Sequence, residues 1–431
     1  MRNLRTGSAN SSVSEKADIP HEWIDTPAAL ADLVGSLLKE PAYAIDTEFH
    51  RERTYYPHLA LVQIAWPGGL VLIDPLAVHV SALVPLFESS VVAVFHAADQ
   101  DLEVLQHLTG TAPRRIFDTQ VAAGFVGFST PSLSTLSERV LGLRLSKGDR
   151  LTDWTQRPLT SAQKNYAASD VLHLLELRDQ LNEQLEASGR TQWLDEELVI
   201  LQARSRGDGH AERAWWRLKD GRVLRGKDRL VAQQLCVWRE RRAQAEDKPV
   251  RFVLPDLAVL TIAQSRPDTV DALGTMRGLD GRYLKGGANR EILEVVRDAG
   301  DMPSSALQVP VPDDFDRKLR PALTLVSAWV AQLARDAKID ATLLATRSDL
   351  VSLLRGDSDA RLAVGWRSEI VGGAVRKLVS GEAALAFGDA SSLVLEERSG
   401  SSLSIDIALP TADWLLDSPS AGEDDLLPSS N

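Results

Sequence analysis

The chain has 431 residues, 44% hydrophobic and 25% charged, with a net charge of −12 and one cysteine, Cys236. That length suits two or three cores of ~100–200 residues each, and a lone cysteine excludes both a disulfide framework and a thiolate zinc site. No run approaches the ~18–20 apolar residues of a membrane span, and the polar opening MRNLRTGSANSSVSEKA lacks the apolar stretch of a secretory signal; the cytoplasm is the expected compartment, with no membrane partner.

Residues 1–18 read as a disordered leader. The segment from Pro27 to Lys39 has helical periodicity. Three strand-like runs follow in close succession, 42–49, 58–65 and 70–74, the last two separated by the turn signal Pro67-Gly-Gly. Such spacing predicts an antiparallel meander. Helical and strand-like runs then alternate (80–88, 91–95, 99–108, 115–117), and helix continues to about Gln202. Strands followed by alternation describe a mixed sheet flanked by helices, placed at 19–203.

Beyond Arg213 the pattern is almost wholly helical. A weak internal repeat pairs the run from Leu230 with the run from Leu325, predicting two copies of one small all-α module, at 213–298 and 317–388. The Pro/Ser-rich stretch 299–316 reads as a linker. Residues 389–431 form an acidic, partly disordered tail with nine acids against one Arg. By contrast, residues 204–251 hold fourteen Lys and Arg against seven acids, a basic middle compatible with phosphate contact.

The chemistry lies in the carboxylates. Asp46 and Glu48 stand two apart in the first long strand and share a face. Asp101 opens a helix after a buried strand and a break, where His96 also sits and Asp99 is expected to cap. Tyr166 and Asp170, spaced i and i+4, stack on one helix face. Each feature alone is common in a structural role: an ion pair, a helix-end charge, a packed aromatic. Together, four carboxylates from three segments can hold two divalent cations, Mg²⁺ or Mn²⁺, which prefer oxygen ligands. Two such ions ~3.5–4 Å apart activate a water and stabilise the leaving oxygen of a phosphoryl displacement.

Asp-Thr-Glu-Phe at 46–49, His-Ala-Ala-x-Gln-Asp-Leu at 96–102 and Tyr-Ala-Ala-Ser-Asp at 166–170 resemble, in order and approximate spacing, the three exonuclease motifs of the DEDD superfamily. The resemblance implies an α/β ribonuclease H-like domain with Asp46, Glu48, Asp101 and Asp170 as metal ligands. Tyr166 would orient the attacking water, which marks the tyrosine subclass. Phe49-His-Arg-Glu-Arg-Thr-Tyr-Tyr-Pro, the following Leu-Val-Gln-Ile, and Asp153-Trp-Thr-Gln-Arg-Pro-Leu159 are similar to the ribonuclease D family. This implies substrate contacts at Phe49, His96, Lys147, Trp154 and Arg157. Trp238-Arg-Glu, Asp247-Lys-Pro and Met276-Arg-Gly-Leu resemble the helicase-and-ribonuclease-D C-terminal (HRDC) module, and the second, diverged copy carries Gly365-Trp-Arg367. The implied activity is 3′→5′ exoribonuclease action on tRNA precursors and single-stranded 3′ ends; the sequence does not fix the oligomeric state, and a monomer is favoured. The competing readings are a DNA 3′→5′ exonuclease of repair and an inactive RNA-binding scaffold. Trp215 and Trp216 either stack on bases or fill a core, and core is the expectation.

Overall fold

A computed structural model describes residues 18–145, 152–205, 211–309, 316–388 and 392–400. The expected leader up to residue 17, Lys147 and most of the acidic tail lie outside the described residues.

Apolar runs punctuated by turns pair into one six-stranded sheet, whose inner strands bury side chains on both faces. Its strands are β1 (Glu22–Ile24), β2 (Ala42–His50), β3 (His58–Trp66), β4 (Gly69–Ile73), β5 (Val92–Phe95) and β6 (Ile116–Asp118), in the order β1-β4-β3-β2-β5-β6. The pairs β2–β3 and β3–β4 are antiparallel, as the meander predicted, while β1–β4, β2–β5 and β5–β6 are parallel. Three-residue β1 was not foreseen; a run so short has no readable alternation. Asp46 pairs with Gln63 and Glu48 with Leu61, but Phe49 pairs with Leu59, so Ala60 is an extra residue on β3. This bulge redirects the strand end just beyond the two acids.

Helices cover the sheet: α1 (Pro27–Leu37), α2 (Asp99–Thr109), α3 (Ser161–Leu172), α4 (Leu174–Ala187) and α5 (Thr191–Ser205). Local chemistry sets their starts. Thr26 caps α1, with Pro27 at its first position. A capping box opens α3: Gln163 N–H donates to Thr160 Oγ1 (3.2 Å) and Thr160 N–H to Gln163 Oε1 (2.9 Å). Thr160→Ala is expected to cost ~1 kcal/mol, read as a lowered urea midpoint; an unchanged midpoint would mean that packing alone holds α3. One expectation is corrected here. Asp99 does not cap α2: the cap position is Ala98, with no side-chain bond, and Asp99 is the first helical residue.

The helical half divides unevenly. Residues from Ala214 to Ala299 build a separate core, including Trp215, Leu235, Val259 and Ile292, around α6 (Gly226–Glu246). Residues 316–380 instead share the core of the sheet. Trp366 stacks on Trp193 of α5 (centroids 5.0 Å, 14°) and meets Phe125 edge-on (5.4 Å, 66°). Buried Glu197 accepts from both Arg367 and Arg361. The expectation of an all-helical second half is corrected by an antiparallel hairpin, β7 (Ala383–Phe387) with β8 (Leu393–Glu397). Gln332 of α7 (Arg320–Ala337) clamps it, donating to Leu393 O (3.0 Å) and accepting from Leu393 N–H (2.6 Å). β8 therefore falls inside the stretch read as a tail.

The basic helical domain touches the nuclease through the loop after β2. Asp247, at the left-handed end of α6, accepts from Tyr55 and Tyr56 N–H (3.0 Å each). The Tyr55 hydroxyl donates to Glu240 Oε1 (2.8 Å) and accepts from Gln244 Nε2 (3.1 Å).

Candidate active site

The two strand acids meet the helix acid where β2 emerges beneath α3. One carboxylate oxygen from each of Asp46, Glu48 and Asp170 lies within 4.8 Å of the others. Asp101 stays outside this trio. It is buried in the first turn of α2, and the Thr47 hydroxyl donates to its Oδ1. By strand alternation Thr47 leaves the face opposite to Asp46 and Glu48, so Asp101 approaches the strand end from the α2 side.

Burial pushes the Asp46 carboxyl well above its ordinary range, and repulsion from Asp101, Asp170 and Glu48 pushes it further. Asp101 is raised to about 7, chiefly by burial, with the Thr47 hydroxyl holding it down. Acids so placed are short of positive charge. The acidic cluster is compatible with divalent metal binding, its donors all oxygen and of the kind that Mg²⁺ and Mn²⁺ take.

The remaining expected residues scatter in role. Tyr166 is half-buried one turn before Asp170, its ring 6.0 Å from that of Trp154 and inclined 31° to it. Trp154 is itself core, 3% exposed, so it backs the tyrosine rather than meeting solvent. Phe49 is half-buried at the bulge. His96 has both ring nitrogens engaged, Nδ1 with Thr119 Oγ1 (2.9 Å) and Nε2 with Pro131 O (3.1 Å). That is its structural alternative, and burial lowers its pKa.

Arg157 spends all five N–H donors inside the protein. Asp74 takes Nε (2.8 Å) and Nη2 (2.7 Å), Ala60 O takes Nη2 (2.7 Å), and the carbonyls of Trp154 and Gln156 take Nη1 (2.8 and 2.9 Å). It pins the bulge and has no donor left for a substrate. Trp215 is core as expected, whereas Trp216 is 39% exposed; both indole N–H groups donate to Gln308 O.

Two residues matter here that the sequence did not single out. Buried Asp118 accepts from the amides of Ala97 (3.1 Å) and Ala98 (2.8 Å), and of Gln120 (2.8 Å) and Val121 (3.3 Å). It thereby holds Ala97 at φ 63, a conformation an alanine rarely adopts, directly before the helix bearing Asp101. Gln63, directly opposite Asp46, is 0% exposed, and among the described residues neither end of its carboxamide has a hydrogen-bond partner. Such a group costs ~1–3 kcal/mol to leave unsatisfied. Its only sequence signal was one polar residue in an apolar strand.

A mixed sheet that presents Asp46 and Glu48 to Asp170 on a covering helix is the core of a 3′→5′ exonuclease. A family model described as 3′-5′ exonuclease matches residues 21–186, and one described as HRDC domain matches 228–296. Ribonuclease D of Jannaschia sp. (strain CCS1) is 40% identical over 85% of this chain and 97% of its own. That of Nitrobacter hamburgensis is 37% identical over 88% and 100%. The crystal structure of Escherichia coli RNase D, described as an exoribonuclease involved in structured RNA processing, aligns at 31% identity and TM-score 0.75 over 84% of this chain and 99% of that one. The chain belongs to the ribonuclease D family, and its activity is that of a 3′→5′ exoribonuclease.

Proposed function

We propose that Asp46, Glu48, Asp101 and Asp170 hold two divalent cations, Mg²⁺ or Mn²⁺. With them, the protein releases 5′-mononucleotides from RNA 3′ ends in the cytoplasm as a monomer, with tRNA precursors and other structured RNA as substrates. The observation that carries this is the convergence of three carboxylates within 4.8 Å, beside a fourth whose charge acts on Asp46. When bound, the cations would lower the pKa of the attacking water and neutralise charge on the phosphoryl oxygens. Tyr166 orients that water, and Phe49, half-buried at the edge of the acidic cluster, meets the terminal nucleotide. Degradation of matched RNA and DNA 3′ ends, with Mn²⁺ and with EDTA, tests the reading. RNA-selective, EDTA-sensitive release of mononucleotides is expected; equal turnover of DNA would favour the repair exonuclease, and none of either the scaffold.

The cations should also be visible without substrate. Asp46 and Asp101 are raised in the folded protein, so between ~4, the ordinary carboxyl value, and about 7 the native state binds more protons than the unfolded chain. Their contribution to stability therefore falls as pH rises through that window. Cations bind the ionised carboxylates and offset the loss. Mn²⁺ should raise the melting temperature more at pH 8 than at pH 5.5, and an equal rise at both would count against ligation by these acids.

We propose residues 317–388 as a second, diverged HRDC-like module. In both halves a long helix ends left-handed, then a four-residue helix and one of nine or ten residues follow, at a constant offset of 91 residues: Asp247 and Lys338, Val250 and Ala341, Asp256 and Arg347. The pairing of Leu230 with Leu325 read from sequence is thus displaced by four. The first module, residues 213–298, would grip phosphates through its basic surface, with 299–316 as linker. Exposed Arg241 and Arg251 are candidates: Arg241→Ala and Arg251→Ala should each weaken binding of structured RNA and reduce the salt slope by ~1. Cleavage of short single strands should be unchanged. An unaltered slope would make this face scaffolding.

A further inference from the structure

Gln63 occupies a position that packing alone would give to an apolar residue. It lies mid-strand in β3, between buried Val62 and Ile64, with β2 and β4 hydrogen-bonded on either side and α3 packed over that region of the sheet. The side chain is 0% exposed, and among the described residues neither Oε1 nor Nε2 has a hydrogen-bond partner. A carboxamide in that state weakens the fold, and an apolar residue of the same shape would not. Folding therefore gives no account of it.

Its register does. Gln63 is the direct antiparallel partner of Asp46. Residues so paired project from the same face, with Cβ atoms ~4.5–5.5 Å apart. A glutamine carboxamide at that separation reaches the neighbouring carboxylate by rotation of its own side chain.

We propose that Gln63 is a positioning residue for Asp46: its Nε2 donates to one oxygen of the ionised carboxylate and thereby aims the other at a bound cation. This rests on the reading that Asp46 is a cation ligand. Ligating carboxylates are commonly oriented by a hydrogen bond of this kind, and its loss weakens metal affinity or activity by ~10–100-fold. Gln63 is closed off from solvent, so its effect passes through Asp46.

The test uses the full chain carrying Gln63→Met, an unbranched replacement of similar length that cannot hydrogen-bond as an amide does, with Gln63→Leu as a second variant should the first fail to fold. Three quantities are read: melting temperature in EDTA, Mn²⁺ affinity by titration calorimetry, and the split between kcat and KM on a short RNA. The expected result is a melting temperature in EDTA equal to or above wild type, Mn²⁺ affinity weakened about tenfold, kcat reduced and KM nearly unchanged. Wild-type Mn²⁺ affinity and kcat would overturn the proposal. A lowered melting temperature in EDTA with Mn²⁺ affinity intact would overturn it too, by showing Gln63 to be structural. Asp46→Asn, titrated alongside, separates the premise: if that variant binds Mn²⁺ like wild type, the ligand reading of Asp46 fails whatever Gln63 does.

Discussion

Asp46→Asn and Asp170→Asn are expected to lower kcat by at least ~10³, with folding intact and RNA affinity close to wild type. The replacement keeps size and one carbonyl oxygen, so the only large loss is charge. Cations in such a site supply several kcal/mol of stabilisation to the transition state, and ~4 kcal/mol corresponds to ~10³ in rate. The folded state should not suffer. Burial and neighbouring acids already disfavour the Asp46 anion, so removing its charge relieves repulsion. A higher melting temperature in EDTA than wild type is therefore expected alongside the lost turnover. Asp101→Asn is the informative comparison, because Asp101 lies outside the three-carboxylate group and accepts from Thr47. An asparagine oxygen still accepts that bond, so the local geometry survives and any loss reports charge alone. Single-turnover rates on a short RNA check all three. A variant retaining more than about a tenth of the wild-type rate, a loss below ~1.4 kcal/mol, does not hold a cation through that residue.

Which parts of the site can be read from sequence follows from how local their causes are. Asp46 and Glu48 stand where an apolar run stops and Asp101 where a helix starts, and the i, i+4 spacing of Tyr166 and Asp170 places them on one helix face. Arg157 and His96 carry no such mark. Asp74, the partner of Arg157, is 83 residues away in sequence, and both ring nitrogens of His96 are satisfied by residues beyond position 118. A guanidinium fully committed inside the protein looks the same in sequence as one waiting for a phosphate. Gln63 and Asp118 were missed for a related reason: one depends on strand register and the other on a loop in left-handed backbone. The hairpin of β7 and β8 escaped notice because it is held by Gln332, which lies in another element. The shared core of the sheet and residues 316–380 is likewise a property of tertiary packing, through Trp193, Phe125 and Trp366.

Tyr166→Phe is expected to reduce kcat by ~10²–10³, the contribution of one well-placed hydrogen bond to a transition state, with Mn²⁺ and RNA affinity near wild type. The tyrosine lies one turn before Asp170 on α3, so its ring is carried to the acidic cluster by the same helix that delivers the ligand. The buried indole of Trp154, at 6.0 Å, limits where that ring can lie. A phenol, with an ordinary pKa of ~10, is a poor base at neutral pH, so its contribution is a hydrogen bond that orients the attacking water. Phenylalanine retains the ring, its packing against Trp154 and the helix, and removes only the hydroxyl. If Tyr166 were a packing residue alone, the variant would keep nearly wild-type turnover, and a wild-type kcat would decide for packing. A large fall in kcat with an unchanged melting temperature would assign the effect to the hydroxyl. Trp154→Phe gives the control: by loosening the backing of the tyrosine it should lower both stability and kcat, whereas Tyr166→Phe should lower kcat only.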